Sequence, residues 1–351
     1  MPSIELMSGI TSAIKDVRRR ANGKPTGVSI GNTARLTPPG FSLTQPRSTE
    51  FGDFVSVLVS TLDQVKTVVA CADGVVDYIL VDAEVKHDAL TGTVPWILGE
   101  VKRSQVLTFK GSDITVSAAD QLISAIFGPV VNTKVTVLGA GGIGSKLALR
   151  LCERGAHVTV VKRKYDEAAA LARGLSLVLP PGAGTMRAAS FEQDMPQEAN
   201  IVVGCATNAP VVTPEIVSSM VHPALVLDVG IGTLAQGVPA LCSRKSIPVV
   251  RLDVRAGFEG AVATAVRTQR LVERTMGMAV WDGVSVVAGG VIAPVGTIVV
   301  DSLSDPTRII GISDGTGGLL DRSRAEGYHD TFGVVQRYIN NSRRPPAPLG
   351  R

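Results

Sequence analysis

The sequence predicts an α/β protein in three parts: a small α/β domain, a doubly wound parallel sheet, and a β-rich C-terminal arm. Three observations carry this. Between residues 54 and 253, short Val- and Ile-rich runs alternate with amphipathic stretches, the rhythm of strand–helix–strand units around a parallel sheet. One run, KVTVL (134–138), opens directly into GAGGIG, a turn of spacing G-x-G-x-x-G. From residue 281 the helical period gives way to apolar runs broken by Gly and Pro, as in SVVAGGVIAPVGTIVV and TRIIGISDG. The 351 residues are 45% hydrophobic and only 4% aromatic, which suits Val-, Ala- and Gly-rich sheets under helices.

In chain order, Ile4, Met7, Ile10, Ile14 and Val17 recur at helical spacing and predict a helix over 3–20, its Arg18–Arg20 end favoured by the helix dipole. Residues 22–47 are rich in Pro, Gly and Thr and hold one expected strand, GVSI. Then come strand FVSVLVS, a helix near 62–71, strand DYILVDAEVK, a less regular segment, and a strand near 106–109. Ser117 is the expected cap of a helix that runs to Phe127 and stops at Gly128-Pro129, where the domain seam is placed. Beyond it, strands are expected at 134–138, 157–161, 186–190, 200–204, 224–229 and 247–253. Helices are expected at 142–154, at 166–173 and from Thr213-Pro214-Glu215. Residues 257–276 read as one helix. The expected division is therefore 1–128, 129–256, a returning helix at 257–280, the arm at 281–340 and a frayed tail at 341–351.

Charge and composition exclude several classes. The net charge is +4 and the cations are scattered except at Arg18–Arg20, Lys162–Lys164 and Arg343–Arg344, which is no nucleic-acid footprint. Cys71, Cys152, Cys205 and Cys242 lie far apart, and His87, His157, His222 and His329 share no metal-ligand spacing, so neither a metal nor a disulfide framework is expected. No apolar stretch approaches the roughly 20 residues of a membrane span, and Glu5 interrupts any signal-peptide core. A cytoplasmic protein is the expectation.

The glycine turn points to a dinucleotide. Gly139 permits the tight turn out of the strand, Gly141 lets backbone approach a pyrophosphate, and Gly144 lets the following helix lie close to the sheet. Gly142 and Ile143 begin that helix, whose N-terminal N–H groups and positive dipole end suit an anion. The next strand, HVTVV, ends in Lys162-Arg163-Lys164 where an NAD site would place an acid for the ribose 2′-OH. Three cations there favour NADP(H) over NAD(H), with Arg163 the best bidentate partner for the extra phosphate. The small residues Gly204, Cys205, Ala206 and Thr207 end another strand and leave room for the nicotinamide ribose. Asp228 and Gly230 fall at the carboxyl edge of the sheet, where ligands bind in such folds. Cys205 reads as a small buried hydrophobe rather than a nucleophile.

VTVLGAGGIGSKLALRL, VVKRK, ATNAPVVTPEIVSSMVHPALVLDVGIG and RAGFEGAVATAV together resemble the two-domain Rossmann oxidoreductases that include shikimate dehydrogenases and methylene-tetrahydrofolate dehydrogenases. The resemblance implies a substrate domain first and an NADP-binding Rossmann domain second. It also implies a catalytic pair, and Lys86, closing YILVDAEVK, and Asp120, in SAADQL, sit at comparable places. The family's N-terminal serine pair and its Asn-Thr-Asp run have no counterpart, nor has the folate enzymes' tyrosine before lysine.

On the substrate side, Asp82, Glu84 and Lys86 alternate in DAEVK and are expected on one strand face, with Lys86 as proton donor or acceptor. Asn32, Thr33, Arg35 and Thr37 form a loop able to hold a carboxylate. The expected activity is NADP(H)-dependent hydride transfer to or from a small polar carbonyl/alcohol or imine/amine. The alternatives are a non-catalytic dinucleotide sensor or assembly subunit, and a folate one-carbon dehydrogenase. The expected partners are a small-molecule substrate and further copies of the chain, a homodimer or larger homo-oligomer formed through the arm.

Overall fold

Apolar residues spaced three and four apart bind the first helix to the first sheet: α1 (Ile4–Arg20) buries Leu6, Ile10, Ile14 and Val17. Ile4 and Met7, expected on that stripe, are exposed, because the buried row runs through Leu6 instead. The computed structural model describes residues 4–32, 40–207 and 209–342. The chain divides into two compact units, Met1–Val262 and Ala263–Arg351.

The first unit holds two sheets. In the first, β1 (Thr26–Asn32), β2 (Ser42–Thr49), β3 (Gly52–Val59), β4 (Tyr78–Asp82) and β5 (Gln105–Phe109) lie in the order β2-β3-β1-β4-β5. All neighbours are parallel except β2, which runs antiparallel to β3. Strand β2 was not expected from its polar sequence SLTQPRST. It is an edge strand whose pairing register shifts between Thr44 and Arg47, the only kind of place where Pro46 fits a sheet. Helix α2 (Leu62–Ala72) starts at a capping box of Thr61 and Gln64, and α3 (Thr93–Glu100) lies in the segment read as irregular.

Two expectations fail at the corner after β4. The strand ends at Asp82, not Lys86: the Asp82 Oδ1 accepts a hydrogen bond from the Glu84 N–H (3.1 Å), a local turn that takes the chain out of the sheet. Asp82, Glu84 and Lys86 therefore do not share a strand face. Helix α4 (Gly111–Phe127) begins six residues before Ser117. Its first N–H groups are capped from a distant segment: Gly111 N donates to Asp82 Oδ1 (3.1 Å) and Ser112 N to Glu84 Oε2 (2.9 Å). No local cap is needed. Gly128, at φ 90°, ends the helix as expected.

The second sheet follows the predicted rhythm closely. β6 (Lys134–Leu138), α5 (Gly142–Glu153), β7 (His157–Lys162), α6 (Tyr165–Ser176), β8 (Met186–Ser190), β9 (Ile201–Gly204), α7 (Pro214–Ser218), β10 (Leu225–Asp228), α8 (Val238–Arg244) and β11 (Val249–Arg251) alternate along the chain. The strands are all parallel, in the order β11-β10-β9-β6-β7-β8. Strand order reverses beside β6, so the crevice outside the ends of β6 and β9 is the topological switch point. Helix α8 was not expected. Helix α9 (Arg255–Arg270) runs on into a π-helical turn, Leu271–Thr275, and the division between the units falls inside it. Its first turn packs on the first sheet, with Phe258 edge-on to Phe54 at 5.7 Å.

In the second unit, β12 (Gly277–Trp281), β13 (Val284–Ala288), β14 (Ile298–Val300) and β15 (Ile309–Ile312) form one sheet in that order. After α10 (Arg322–Ala325), helix α11 (His329–Ser342) supplies Val335 and Ile339 to its core, and Tyr338 stacks on Trp281 at 4.4 Å. The arm is thus mixed rather than purely β, and residues 343–351 lie outside the described part. Among the described residues, no helix is long and apolar enough to cross a membrane and no side-chain group is arranged to hold a metal.

Candidate active site

The glycine turn has the geometry its residues require. Gly139 sits at φ 83°, and a Cβ there would lie 2.7 Å from the Ala206 backbone nitrogen. Gly144 touches the sheet: its Cβ would come within 3.0 Å of Gly139 O and 3.1 Å of Val137. Gly141 and Gly142 differ, since a Cβ on either meets nothing within 4 Å. Open space therefore lies against the first turn of α5, whose leading N–H groups have no partner within the helix. This is a cradle that side chains would fill, and it fits a pyrophosphate.

The cationic strand end is more engaged than the sequence implied. Lys162 Nζ lies 3.1 Å from Glu167 Oε2, and Lys164 Nζ 3.8 Å from Glu167 Oε1. Their ammonium groups hold the Glu167 carboxyl below the usual range. Arg163 stays exposed.

At the other strand ends, Cys205 donates its N–H to Leu138 O (2.7 Å), and burial with Asp228 nearby pushes its thiol up to about 12. Such a thiol is inert, as read from the sequence. Gly230 cannot carry a side chain, because a Cβ would lie 2.0 Å from Ala206 O. Asp228 turns its carboxylate into its own loop. It is buried and accepts from Thr233 Oγ1 (2.6 Å) and Gly232 N (3.2 Å), so its carboxylate builds the turn after β10.

The first sheet contributes a polar cluster. Lys86 Nζ donates to Asn32 O (2.8 Å) and to Asp82 Oδ2 (3.3 Å). Asn32 Nδ2 bridges Asp82 O (3.1 Å) and Glu84 O (2.5 Å). Burial raises Glu84, but bonds from Ser112 together with Lys146 and Lys86 outweigh it and hold the carboxyl low. Lys146, on α5, reaches Asp113 Oδ1 (2.7 Å), Ser112 Oγ (2.7 Å) and Glu84 Oε1 (3.4 Å). Its bond to Asp113 raises its ammonium and lowers the Asp113 carboxyl. Thr33, Arg35 and Thr37 lie outside the described residues.

These groups meet in one cleft of about 730 Å³. Gly141, Gly142, Ile143, Gly144, Cys205 and Thr207 line one side, and Asn32, Asp82, Glu84, Lys86 and Ser112 the other. Gly139, Lys162–Lys164, Ala206, Asp228 and Gly230 are not among the lining residues. Neither is Asp120. Its carboxylate is buried against Arg154 at the end of α5, so the partner of Lys86 is Asp82, four residues back, and not Asp120. Sequence reading missed Ser112 and Lys146, whose roles depend on α4 and α5 lying side by side.

Residues 121–239 match the shikimate / quinate 5-dehydrogenase family model. That segment runs from within α4 to the start of α8, and over it the likeness read from the motifs is borne out. A stretch of 75 residues is 33% identical to the shikimate dehydrogenase (NADP(+)) of Methanosarcina barkeri, covering 21% of this chain and 27% of that protein. The chain thus spans about a quarter of the length of this curated relative. Among solved structures, shikimate 5-dehydrogenase from Listeria monocytogenes, in complex with shikimate and NAD, aligns over 71% of this chain and 94% of its own, at 13% identity and TM-score 0.42. A 5-ketofructose reductase of Gluconobacter sp. aligns over 70% and 93%, at 16% identity and TM-score 0.41. The family match lies on the glycine turn and the second sheet. The polar cluster of β1, β4 and the start of α4 lies outside it, so the substrate side rests on geometry alone.

Proposed function

We propose that the protein is an NADP(H)-dependent oxidoreductase acting on a small polar carbonyl/alcohol or imine/amine centre. The observation that carries this reading is the single cleft shared by the glycine turn and the Lys86–Asp82–Asn32 cluster. The curated relative's NADP(+) designation and the exposed Arg163 support the choice of nucleotide. The nicotinamide supplies or accepts the hydride.

In this reading the N-terminus of α5, at Gly141–Gly144, holds the pyrophosphate, and Arg163 with Lys162 and Lys164 holds the 2′-phosphate. Lys86 gives its Nζ proton to the substrate oxygen or nitrogen as negative charge develops there, or takes it back in the reverse direction. Asp82 and the Asn32 carbonyl fix the ammonium in place, which removes the orientational freedom that a flexible lysine otherwise keeps.

Thermal-shift titration with NADPH and NADH, followed by NADPH oxidation over a panel of ketones and imines, tests the proposal. NADPH is expected to stabilise the protein more than NADH, and at least one panel member to turn over. Lys86→Ala is expected to lower kcat while leaving the NADPH Kd in place. NADPH binding without turnover of any member would replace the enzyme with a nucleotide sensor.

A further inference from the structure

The sheet of the second unit has two edges, and they are finished differently. At one, β15 is irregularly paired with β14, the register shifting between Val299 and Val300, and its Ile312 carbonyl accepts a hydrogen bond from the Leu320 N–H of the following turn (2.8 Å). The chain closes that edge on itself. At the other, β12 reads GMAVW, with no charge, no proline and no shift in its pairing with β13. Edge strands of soluble proteins are ordinarily blunted by one of these devices, because a bare edge recruits another strand. Elsewhere in the chain, edge strand β2 carries Pro46 and a register shift, β8 carries Arg187 and β11 carries Arg251.

The direction of the free groups in β12 follows from its turn. Asp282 (φ 47°) and Gly283 (φ 82°) form a two-residue connection with both central residues left-handed, so Trp281 and Val284 exchange hydrogen bonds across it. Bonding residues alternate along an antiparallel pair. Ala279 and Trp281 therefore turn their N–H and C=O groups to β13, while Met278 and Val280 turn theirs outward. Among the described residues, nothing bonds to them on that side. The two side chains share one sheet face, opposite the one that carries buried Trp281, and are 60% and 68% exposed.

We propose that β12 is the interface of a two-fold homodimer, in which the sheets of two second units join edge to edge into one continuous sheet. With Ala279 on the two-fold axis, Met278 of one copy faces Val280 of the other. Each such pair exchanges both N–H···O bonds, so every outward group of the strand finds a partner. Apolar side chains then meet apolar side chains across the strands. A slip of one residue would set outward groups against groups already bonded to β13, and a slip of two would leave half of them unmatched. The edge is thus complementary to itself, and pairing consumes it in both copies, so assembly closes at the dimer. The chain's own tail cannot finish the edge in this way, since Pro345, Pro346 and Pro348 have no N–H to give. None of the β12 residues lines the cleft, so dimer formation and nucleotide binding are separable.

The test is sedimentation velocity of the full chain from about 1 to about 100 μM. The parent is expected to pass from monomer to dimer over this range and to go no further. Val280→Pro removes an outward N–H while sparing the bonds to β13. Met278→Lys combined with Val280→Lys sets like charges opposite each other. Both variants are expected to stay monomeric. Mixing the second with a Met278→Glu, Val280→Glu variant is expected to restore a dimer, because lysine then faces glutamate in the proposed register. The near-ultraviolet circular dichroism of the stacked Trp281–Tyr338 pair reports that the second unit is folded. Should Val280→Pro alter that signal, the Lys and Glu variants carry the test. A parent that stays monomeric, a dimer that persists in the folded variants, growth beyond a dimer, or no dimer in the mixture overturns the proposal. So does a parent that dimerises only once residues 343–351 are removed, which would give the edge to the tail.

Discussion

The four glycines of the turn should separate into two kinds under the same substitution. At Gly139, alanine must adopt φ 83°, where an L-residue loses roughly 1–2 kcal/mol. Its methyl carbon would also stand 2.7 Å from the backbone nitrogen of Ala206, with no side-chain end to swing aside. Overpacking of that kind costs about 1–3 kcal/mol, so Gly139→Ala should destabilise the fold by about 2–5 kcal/mol. At Gly141 the backbone is at φ −84°, and a methyl group meets nothing within 4 Å. Gly141→Ala should change stability by less than about 1 kcal/mol, since lost N-cap preference and reduced unfolded-state entropy oppose each other. The same methyl group would occupy the space left for a pyrophosphate, and NADPH affinity should fall about tenfold or more, equivalent to about 1.4 kcal/mol. Urea denaturation and fluorescence titration of NADPH on both variants measure the two quantities. If Gly141→Ala bound NADPH as tightly as the parent, the pyrophosphate would not lie against this turn and the reasoning would be refuted.

Other perturbations have equally definite signs. Arg163→Ser should weaken NADPH by about 1 kcal/mol or more while leaving NADH nearly unchanged, and equal losses for both nucleotides would remove the 2′-phosphate assignment. Glu167→Gln frees Lys162 and Lys164 from their present partner and should tighten NADPH in direct titration at low salt. Asp228→Ala strips the acceptor from Thr233 Oγ1 and Gly232 N and should cost about 1–3 kcal/mol in urea melts, with no gain in nucleotide affinity. The Glu84 carboxyl is held below its ordinary 4.5, so its contribution is complete above that pH and is lost as pH falls through the lowered value. Lys146, raised above 10.5, contributes fully below that pH and loses its share as pH climbs through the raised value. Stability against pH should therefore fall less steeply on the acid side in Glu84→Gln, and an unchanged acid limb would dismiss the pairing.

What the sequence made legible follows from where each constraint resides. The turn at 139–144 was readable because tight backbone geometry and close helix–sheet contact admit only glycine there, so the residue type itself encodes the structure. The second sheet was readable because its strands are buried on both faces and appear as unbroken apolar runs. Strand β2 was not, because an edge strand with a bulge and a proline carries no apolar alternation. The start of α4 was hidden because its caps come from Asp82 and Glu84, nearly thirty residues away. Lys86 was found through family likeness and alternation, yet its partner was assigned to Asp120. The resemblance points to Asp120, and only the fold shows that Asp82 faces the lysine while Asp120 faces Arg154.

That misplaced aspartate belongs to a feature with a different purpose. Along α5 and its C-cap, Lys146, Arg150 and Arg154 recur every four residues, and along α4 Asp113, Ser117 and Asp120 recur at intervals of four and three. Lys146 meets Asp113 (2.7 Å), Arg150 meets Ser117 (3.1 Å) and Arg154 meets Asp120. A half-exposed ion pair such as Lys146–Asp113 contributes about 0–1 kcal/mol, too little to explain the fold's stability. The value of these contacts is geometric. Residues spaced three or four apart lie on one helix face, so a shift of one helix past the other by a single turn would break every rung at once. The ladder therefore fixes the register of α5, which begins with the glycine turn, against α4, which begins on the side chains of Asp82 and Glu84. Through it the open space at Gly141 is held to the same cleft as Asp82, which caps α4 and also bonds the Lys86 ammonium, the placement that the proposed hydride transfer with an accompanying proton demands.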